Sequence, residues 1–140
     1  MNNEANQPAY ILIEPKDNRT EVEWQYSIVY RKQGGKFSCY IPSFNIYFSA
    51  KDEAVMDKKS EALTKMYLDH FVLHSKGGFK ALAMQLHKLG FKAKDDALVL
   101  KRILKDQKIV KTKFNATSSL TPEGFNESKS IHHQMEFEAA

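Results

Sequence analysis

Hydrophobic and polar residues alternate along residues 24–41, and this two-residue period is typical of β-strands with one buried face. The first run carries an apolar side chain at every second position: Trp24, Tyr26, Ile28 and Tyr30. A second run repeats the pattern with Phe37, Cys39 and Ile41. Gly34 and Gly35 lie between the runs, and adjacent glycines can adopt the positive φ angles of a tight hairpin turn. Because residues 46–49 add a third short run, the sequence predicts a three-stranded antiparallel sheet.

A helical pattern follows the third run. Ser49 is the expected N-cap, and Asp52 and Glu53 suit the positive end of the helix dipole. Gly77 and Gly78 are expected to end the helix. Apolar and aromatic residues recur at helical spacing, which is typical of a helix packed on a sheet: Val55, Ala62, Leu63, Met66, Tyr67, His70, Phe71 and Leu73. We therefore predict an α+β fold in which a long helix covers one face of the three-stranded antiparallel sheet.

The remainder of the chain predicts a smaller helical and β-wing part. Helical spacing recurs at 79–89 and 97–107, and basic residues alternate with apolar residues or Thr at 108–114, as in a strand. The last fifteen or so residues are polar and weakly patterned. The predicted domains are a β-β-β-α domain with an N-terminal tail at 1–76, a basic helix-helix-strand module at 77–125 that resembles a winged helix, and a flexible tail at 126–140.

The distribution of charge along the chain indicates more about function than the overall composition does. The hydrophobic fraction of 42% is ample for a core, and the net charge is only +4. Residues 76–113, however, hold eleven Lys and Arg residues against three Asp residues, which leaves +8 on this segment. Such a surface suits the phosphate backbone of double-stranded DNA. The residues expected to contact DNA are Lys92, Lys94, Lys101, Arg102, Lys105, Lys108, Lys111 and Lys113.

Two alternatives to DNA binding stay open for this basic segment. Lysine is the usual solubilising residue of protein surfaces, and base readout favours Arg, Asn and Gln, whereas this segment contains one Arg. An alternating lysine strand is also typical of a sheet edge that is protected against aggregation. RNA binding has little support, because the aromatic signatures of RNA-binding sheets are missing.

Residues 26–70 resemble the HicB family of antitoxins. The matching motifs are Tyr26-Ser27-Ile28-Val29-Tyr30, Gly34-Gly35-Lys36-Phe37, Ile41-Pro42 and Asp52-Glu53-Ala54, with Glu61-Ala62-Leu63 further along the helix. The chain departs from the family at Ser43-Phe44-Asn45 and Ser49-Ala50, where an acidic residue and glycines are usual. The resemblance implies an antitoxin or transcriptional regulator that binds a small toxin protein and DNA and forms homo-oligomers.

The expected contact with a protein partner lies on the sheet surface, at Tyr40, Pro42, Phe44 and Tyr47. The alternative function is a protein-interaction or dimerisation module that does not bind nucleic acid. No Gly-rich phosphate loop, nucleophile elbow or pair of catalytic carboxylates is recognisable, so we expect no enzymatic activity and no cofactor.

The positions of the histidine and cysteine residues also do not predict a catalytic or metal site. His70 and His74 have a spacing that can bind a metal on one helix face, but the zinc-protease pattern is absent, and His132 and His133 fall in the predicted tail. The single cysteine, Cys39, is expected to be a buried thiol. With no signal peptide and no membrane-spanning segment recognisable, the expected location is the cytoplasm, without membrane association.

Overall fold

The fold is described by a computed structural model that covers residues 9–17, 19–73, 79–94, 111–116 and 123–138. Seven strands and two helices lie in these ranges. In chain order they are β1 Tyr10–Pro15, β2 Arg19–Gln33, β3 Lys36–Ile41, β4 Ile46–Ala50, α1 Glu53–Leu73, α2 Phe79–Lys88, β5 Phe91–Ala93, β6 Thr112–Ala116 and β7 Glu127–Glu138. The predicted hairpin is confirmed, because β2 and β3 pair in register across Gly34 and Gly35, which both have positive φ.

All strand pairs are antiparallel, and the long strand β2 is central to them. The strand order is β4-β3-β2-β1-β6-β5, and β7 pairs with β2 outside this path. β7 pairs with residues 19–30 of β2, while β1 pairs with residues 20–25 and β3 with residues 29–33. A strand has only two edges, so β1 and β3 must follow one another along the edge opposite β7. The sheet therefore divides there and curls into a half-barrel.

The predicted fold class of a three-stranded sheet with a helical and β-wing appendage is wrong. β1, β5, β6 and β7 join β2, β3 and β4 in one seven-stranded sheet. The segment predicted as a flexible tail instead forms the twelve-residue strand β7. The inward-facing positions of β7 are Lys129, Ile131, His133 and Met135, and two of these four residues are polar. The alternation of apolar and polar residues that is typical of a strand is therefore not visible in this segment.

Residues from both predicted domains share one hydrophobic core. Leu82 and Leu86 of α2, Phe91 of β5 and Phe114 of β6 are fully buried in the same cluster as Trp24. The proposed boundary after residue 76 therefore does not separate two cores among the described residues. The predicted third helix at 97–107 lies outside the part of the chain that the structure describes.

Helix α1 packs on the sheet through a face that the apolar pattern did not predict. Its buried positions follow each other at four-residue intervals: Met56, Ser60, Thr64 and Leu68. Two of these are polar, and they are buried because they bind aromatic side chains of β2. Trp24 Nε1 donates to Thr64 Oγ1 at 3.0 Å, and Tyr26 Oη donates to Ser60 Oγ at 2.9 Å. Met66, which was expected in the packed face, is 65% exposed.

The start of α1 also differs from the prediction. Asp52, rather than Ser49, caps the helix, since its carboxylate accepts a hydrogen bond from the backbone N–H of Val55 at 2.8 Å. Ser49 belongs to β4. This cap fixes the turn that carries the chain from the sheet into the helix.

Candidate binding surface

Two of the residues predicted to bind a partner form an aromatic pair on neighbouring strands, in which Tyr47 is exposed and Tyr40 is half-buried. Tyr40 of β3 lies directly opposite Tyr47 of β4, and their rings stack with centroids 4.1 Å apart and planes inclined by 21°. Tyr47 is 63% exposed, which is unusual for so large a side chain on a sheet. Tyr40 Oη donates to Asn45 Oδ1 at 3.1 Å, so the stack is held in place by the β3–β4 turn.

The other two predicted partner residues contribute less to this surface. Phe44 is only 2% exposed, and its ring packs against Tyr26, Tyr67 and Phe91. Phe44 is therefore a core residue, because the β3–β4 turn directs its side chain inward. Pro42 is half-buried in the same turn.

Two residues outside the predicted partner contact, Phe125 and Arg31, complete the surface. Phe125 precedes β7, and its ring centroid lies 6.4 Å from that of Tyr40. The guanidinium of Arg31 stacks over the Phe125 ring at 5.5 Å. We call Arg31, Tyr40, Tyr47 and Phe125 the aromatic surface. A concavity of about 510 Å³ opens on it, lined by Arg31, Ser38, Cys39, Tyr47, Phe48, Ser49 and Phe125.

The free edge of β4 borders the aromatic surface. Within the described residues β4 pairs only with β3. The Ser49 carbonyl accepts a hydrogen bond from Lys59 Nζ at 2.8 Å, so it points away from β3. Backbone groups of an antiparallel strand point outward at every second residue, and the N–H and C=O of Tyr47 therefore share this edge.

Three lysines lie at the far end of the same edge. Lys36, Lys51 and Lys59 line a second concavity of about 360 Å³ together with Ser49, Ala50 and Val55. Ser49 lines both concavities, so they adjoin each other along β4. We call these three residues the lysine cluster.

The predicted DNA-binding residues lie at the other end of the strand order. Lys92, Lys94, Lys111 and Lys113 are exposed on or beside β5 and β6, and the structure brings them together. Two of them have partners: Lys111 pairs with Glu14 at 3.6 Å, and Lys113 lies over the Tyr10 ring at 4.5 Å. Lys101, Arg102, Lys105 and Lys108 lie outside the described residues.

Comparison with protein-family models, with curated proteins and with solved structures finds no match to this chain. No helix within the described ranges has the length and apolar character needed to cross a membrane. In those ranges we also find no group of three or more His, Cys, Asp or Glu residues placed to hold a metal ion.

A polar network between the sheet and α1 brings together His, Tyr and Glu side chains, which are residue types that catalytic sites use. His133 Nε2 lies 2.8 Å from Tyr26 Oη, and His133 Nδ1 lies 3.3 Å from a Glu61 carboxylate oxygen. Tyr26 Oη donates to Ser60 Oγ, so Tyr26 bridges Ser60 of α1 and His133 of β7. Burial raises the pKa of Tyr26 to about 12. It also raises the pKa of Cys39, a buried free thiol that is not part of this network, to about 11. These groups therefore stay protonated near pH 7, and the network joins β2, β7 and α1 as a structural element.

His133 makes stability depend on pH. Burial lowers its pKa below the ordinary value of 6.5, against the attraction of Glu61 and Asp57, and His132 adds to the lowering. The unfolded chain therefore takes up this proton first as the pH falls, and the native state loses stability below about pH 6.5. We expect the urea midpoint to drop from pH 7 to pH 5, and His133→Gln to remove part of that drop. His132→Gln removes only a secondary contribution to the lowered pKa of His133 and should retain most of the drop. An unchanged pH profile in His133→Gln would contradict this role.

Proposed function

We propose that the chain is a non-catalytic binding protein that captures an extended segment of a partner protein along β4. The observation that carries the proposal is the Tyr40–Tyr47 stack, in which Tyr47 is exposed, beside a strand edge with outward-pointing backbone groups. Large exposed aromatic patches on monomeric proteins are typical of interaction sites. An open strand edge offers the main-chain hydrogen bonds by which extended peptides add to a sheet.

The strand edge and the aromatic surface would contribute differently, the first to affinity and the second to specificity. The backbone N–H and C=O of Tyr47 and the backbone N–H of Ser49 would pair with any extended peptide and so supply affinity that is independent of sequence; the Ser49 carbonyl already accepts from Lys59. The concavity of about 510 Å³ that Tyr47 and Phe125 line includes two small residues, Ser38 and Ser49, in its lining, and it would accept one large side chain of the partner. The aromatic surface would therefore select an apolar or aromatic residue at one position of the segment.

The proposal predicts that Tyr47 dominates partner binding. A peptide library displayed on phage, selected on the immobilised full chain, should yield enriched sequences with a recurrent apolar or aromatic residue. Tyr47→Ala should weaken the enriched peptides by roughly thirtyfold, since buried aromatic anchors typically contribute about 2 kcal/mol to an interface. Binding would be measured by fluorescence anisotropy, and circular dichroism would confirm that the variant is folded.

Met66→Ala is the matched control, because Met66 is exposed to the same extent but lies on α1. It should leave peptide binding unchanged. A selection that enriches no sequence, or peptides that bind Tyr47→Ala as tightly as the original chain, would overturn the proposal. A small toxin protein as the partner, DNA binding through the C-terminal lysines, and homo-oligomer formation stay predictions.

A further inference from the structure

We propose that the segment captured at β4 is acidic, with carboxylates that contact Lys36, Lys51 and Lys59. This inference rests on the proposed function and names the chemistry of the partner. The lysine cluster adjoins the aromatic surface along one strand edge, as described above. A bound segment that reaches Tyr47 would therefore also reach the cluster if it continued along β4.

The lysine cluster has no acidic partner among the described residues. None of its three side chains forms an ion pair there, and Lys59 binds only the Ser49 carbonyl. The nearby acids at the start of α1 are already engaged. Asp52 caps the helix, and Glu53 and Asp57 both pair with Lys129, at 3.0 and 2.7 Å. No carboxylate among the described residues therefore pairs directly with the three ammonium groups, and carboxylates of a partner can do so.

The geometry of a strand sets the spacing of the recognised residues. Side chains on one face recur at every second position, with about 3.3 Å of rise per residue. Lys51 directly follows the last residue of β4 and lies four positions after Tyr47 in the sequence. A segment with an apolar or aromatic residue at Tyr47 should therefore place Asp or Glu two to four positions away, toward the Lys51 end.

Two other occupants fit the edge less well. A second copy pairing through its own β4 would present Ile46–Ala50, which contains no acidic residue, and would leave the lysine cluster without partners. A single-stranded nucleic acid would satisfy the charge and stack on the tyrosines, but it cannot form a strand ladder with the outward N–H and C=O groups of Tyr47. An acidic polypeptide satisfies the charge, the aromatic surface and the backbone together.

The test uses the full chain and three fluorescein-labelled probes in anisotropy titrations. The first is the peptide Glu-Val-Glu-Val-Tyr-Val-Glu-Val-Glu, which carries acidic residues on both sides of Tyr because the strand direction is open. The second replaces every Glu by Gln, and the third is an oligothymidylate. We expect the Glu peptide to bind about tenfold more tightly than the Gln peptide at low salt, with the difference shrinking as salt screens the charges.

Charge-matched variants locate the effect. Combining Lys36→Gln, Lys51→Gln and Lys59→Gln should remove the preference for the Glu peptide. Combining Lys58→Gln, Lys65→Gln and Lys88→Gln, at exposed positions elsewhere, removes the same charge and should leave the preference intact.

The outcomes separate this inference from the proposed function. If enriched library peptides bind through Tyr47 but the Glu and Gln peptides bind equally, the acidic preference is wrong and the capture of extended segments stands. If oligothymidylate binds more tightly than the Glu peptide and loses binding in the Lys36, Lys51 and Lys59 variant, the surface is a nucleic-acid site and the inference is overturned. If no library peptide is enriched, the proposed function itself fails.

Discussion

Deletion of residues 126–140 is expected to abolish the native fold rather than to shorten a tail. β7 pairs with β2 at every position from Arg19 to Tyr30, and its inward side chains Ile131, His133 and Met135 pack beneath α1. Each hydrogen bond of the ladder contributes about 0.5–1.5 kcal/mol, so their combined loss is comparable with a typical total stability of about 5–15 kcal/mol.

Trp24 fluorescence provides a direct measurement of this loss. Trp24 is the single tryptophan, it is 1% exposed, and its ring centroid lies 5.1 Å from that of His133 of β7. The truncated chain should show the emission of a solvent-exposed indole and no cooperative urea transition. The control combines Ser130→Ala with Gln134→Ala, two exposed positions of β7, and should change stability by less than about 0.5 kcal/mol. A truncated chain with the original urea midpoint would contradict the structural role of β7.

Phe91→Ala is expected to destabilise the whole chain through a single unfolding transition. Phe91 is fully buried, and its ring lies 5.8 Å from that of Phe44, which comes from the β3–β4 turn. Truncating a buried Phe removes packing and leaves a cavity, at a cost of about 3–5 kcal/mol. Urea unfolding followed both by Trp24 fluorescence and by far-ultraviolet circular dichroism should shift to the same lower midpoint.

Phe91→Ala tests whether the predicted boundary after residue 76 separates two parts that unfold independently. With one shared core, the loss at Phe91 must reach Trp24 at the other side of the predicted boundary. Lys92→Ala, at the exposed neighbouring position of β5, should leave both midpoints unchanged. Two separate transitions, or a Trp24 transition that Phe91→Ala does not move, would instead support independent parts at 1–76 and 77–125.

Local sequence patterns predicted the β2–β3 hairpin, but they did not predict the pairing of strands that are distant in sequence. The β2–β3 hairpin follows from alternation around Gly34 and Gly35, which is information contained within a few residues. β7 could not be recognised in this way, because Lys129 and His133 occupy inward positions where apolar residues are expected. Lys129 is accommodated there by Glu53 and Asp57, and His133 by Tyr26 and Glu61, and those partners are distant in sequence.

The same limit applies to the packed face of α1 and to the binding surface. An apolar pattern cannot identify Ser60 and Thr64 as buried, since their burial depends on hydrogen bonds with Tyr26 and Trp24. Tyr40 and Tyr47 were predicted from their place on the sheet, but Phe44 turns inward at the same turn. Phe125 reaches Tyr40 and Arg31 only because β7 returns along β2, which no local pattern indicates, whereas Arg31 is placed by the predicted hairpin.

The pairing of β2 with β7 also constrains how the chain reaches its native state. Tyr26 and His133, which meet in the polar network, are 107 residues apart in sequence. One edge of β2 stays without its strand partner until the ribosome has synthesised residue 138. Folding dominated by such distant contacts is slow, and an unpaired edge rich in aromatic residues is prone to aggregation in the meantime. We therefore expect expression at low temperature, where hydrophobic association is weaker, to raise the yield of folded protein.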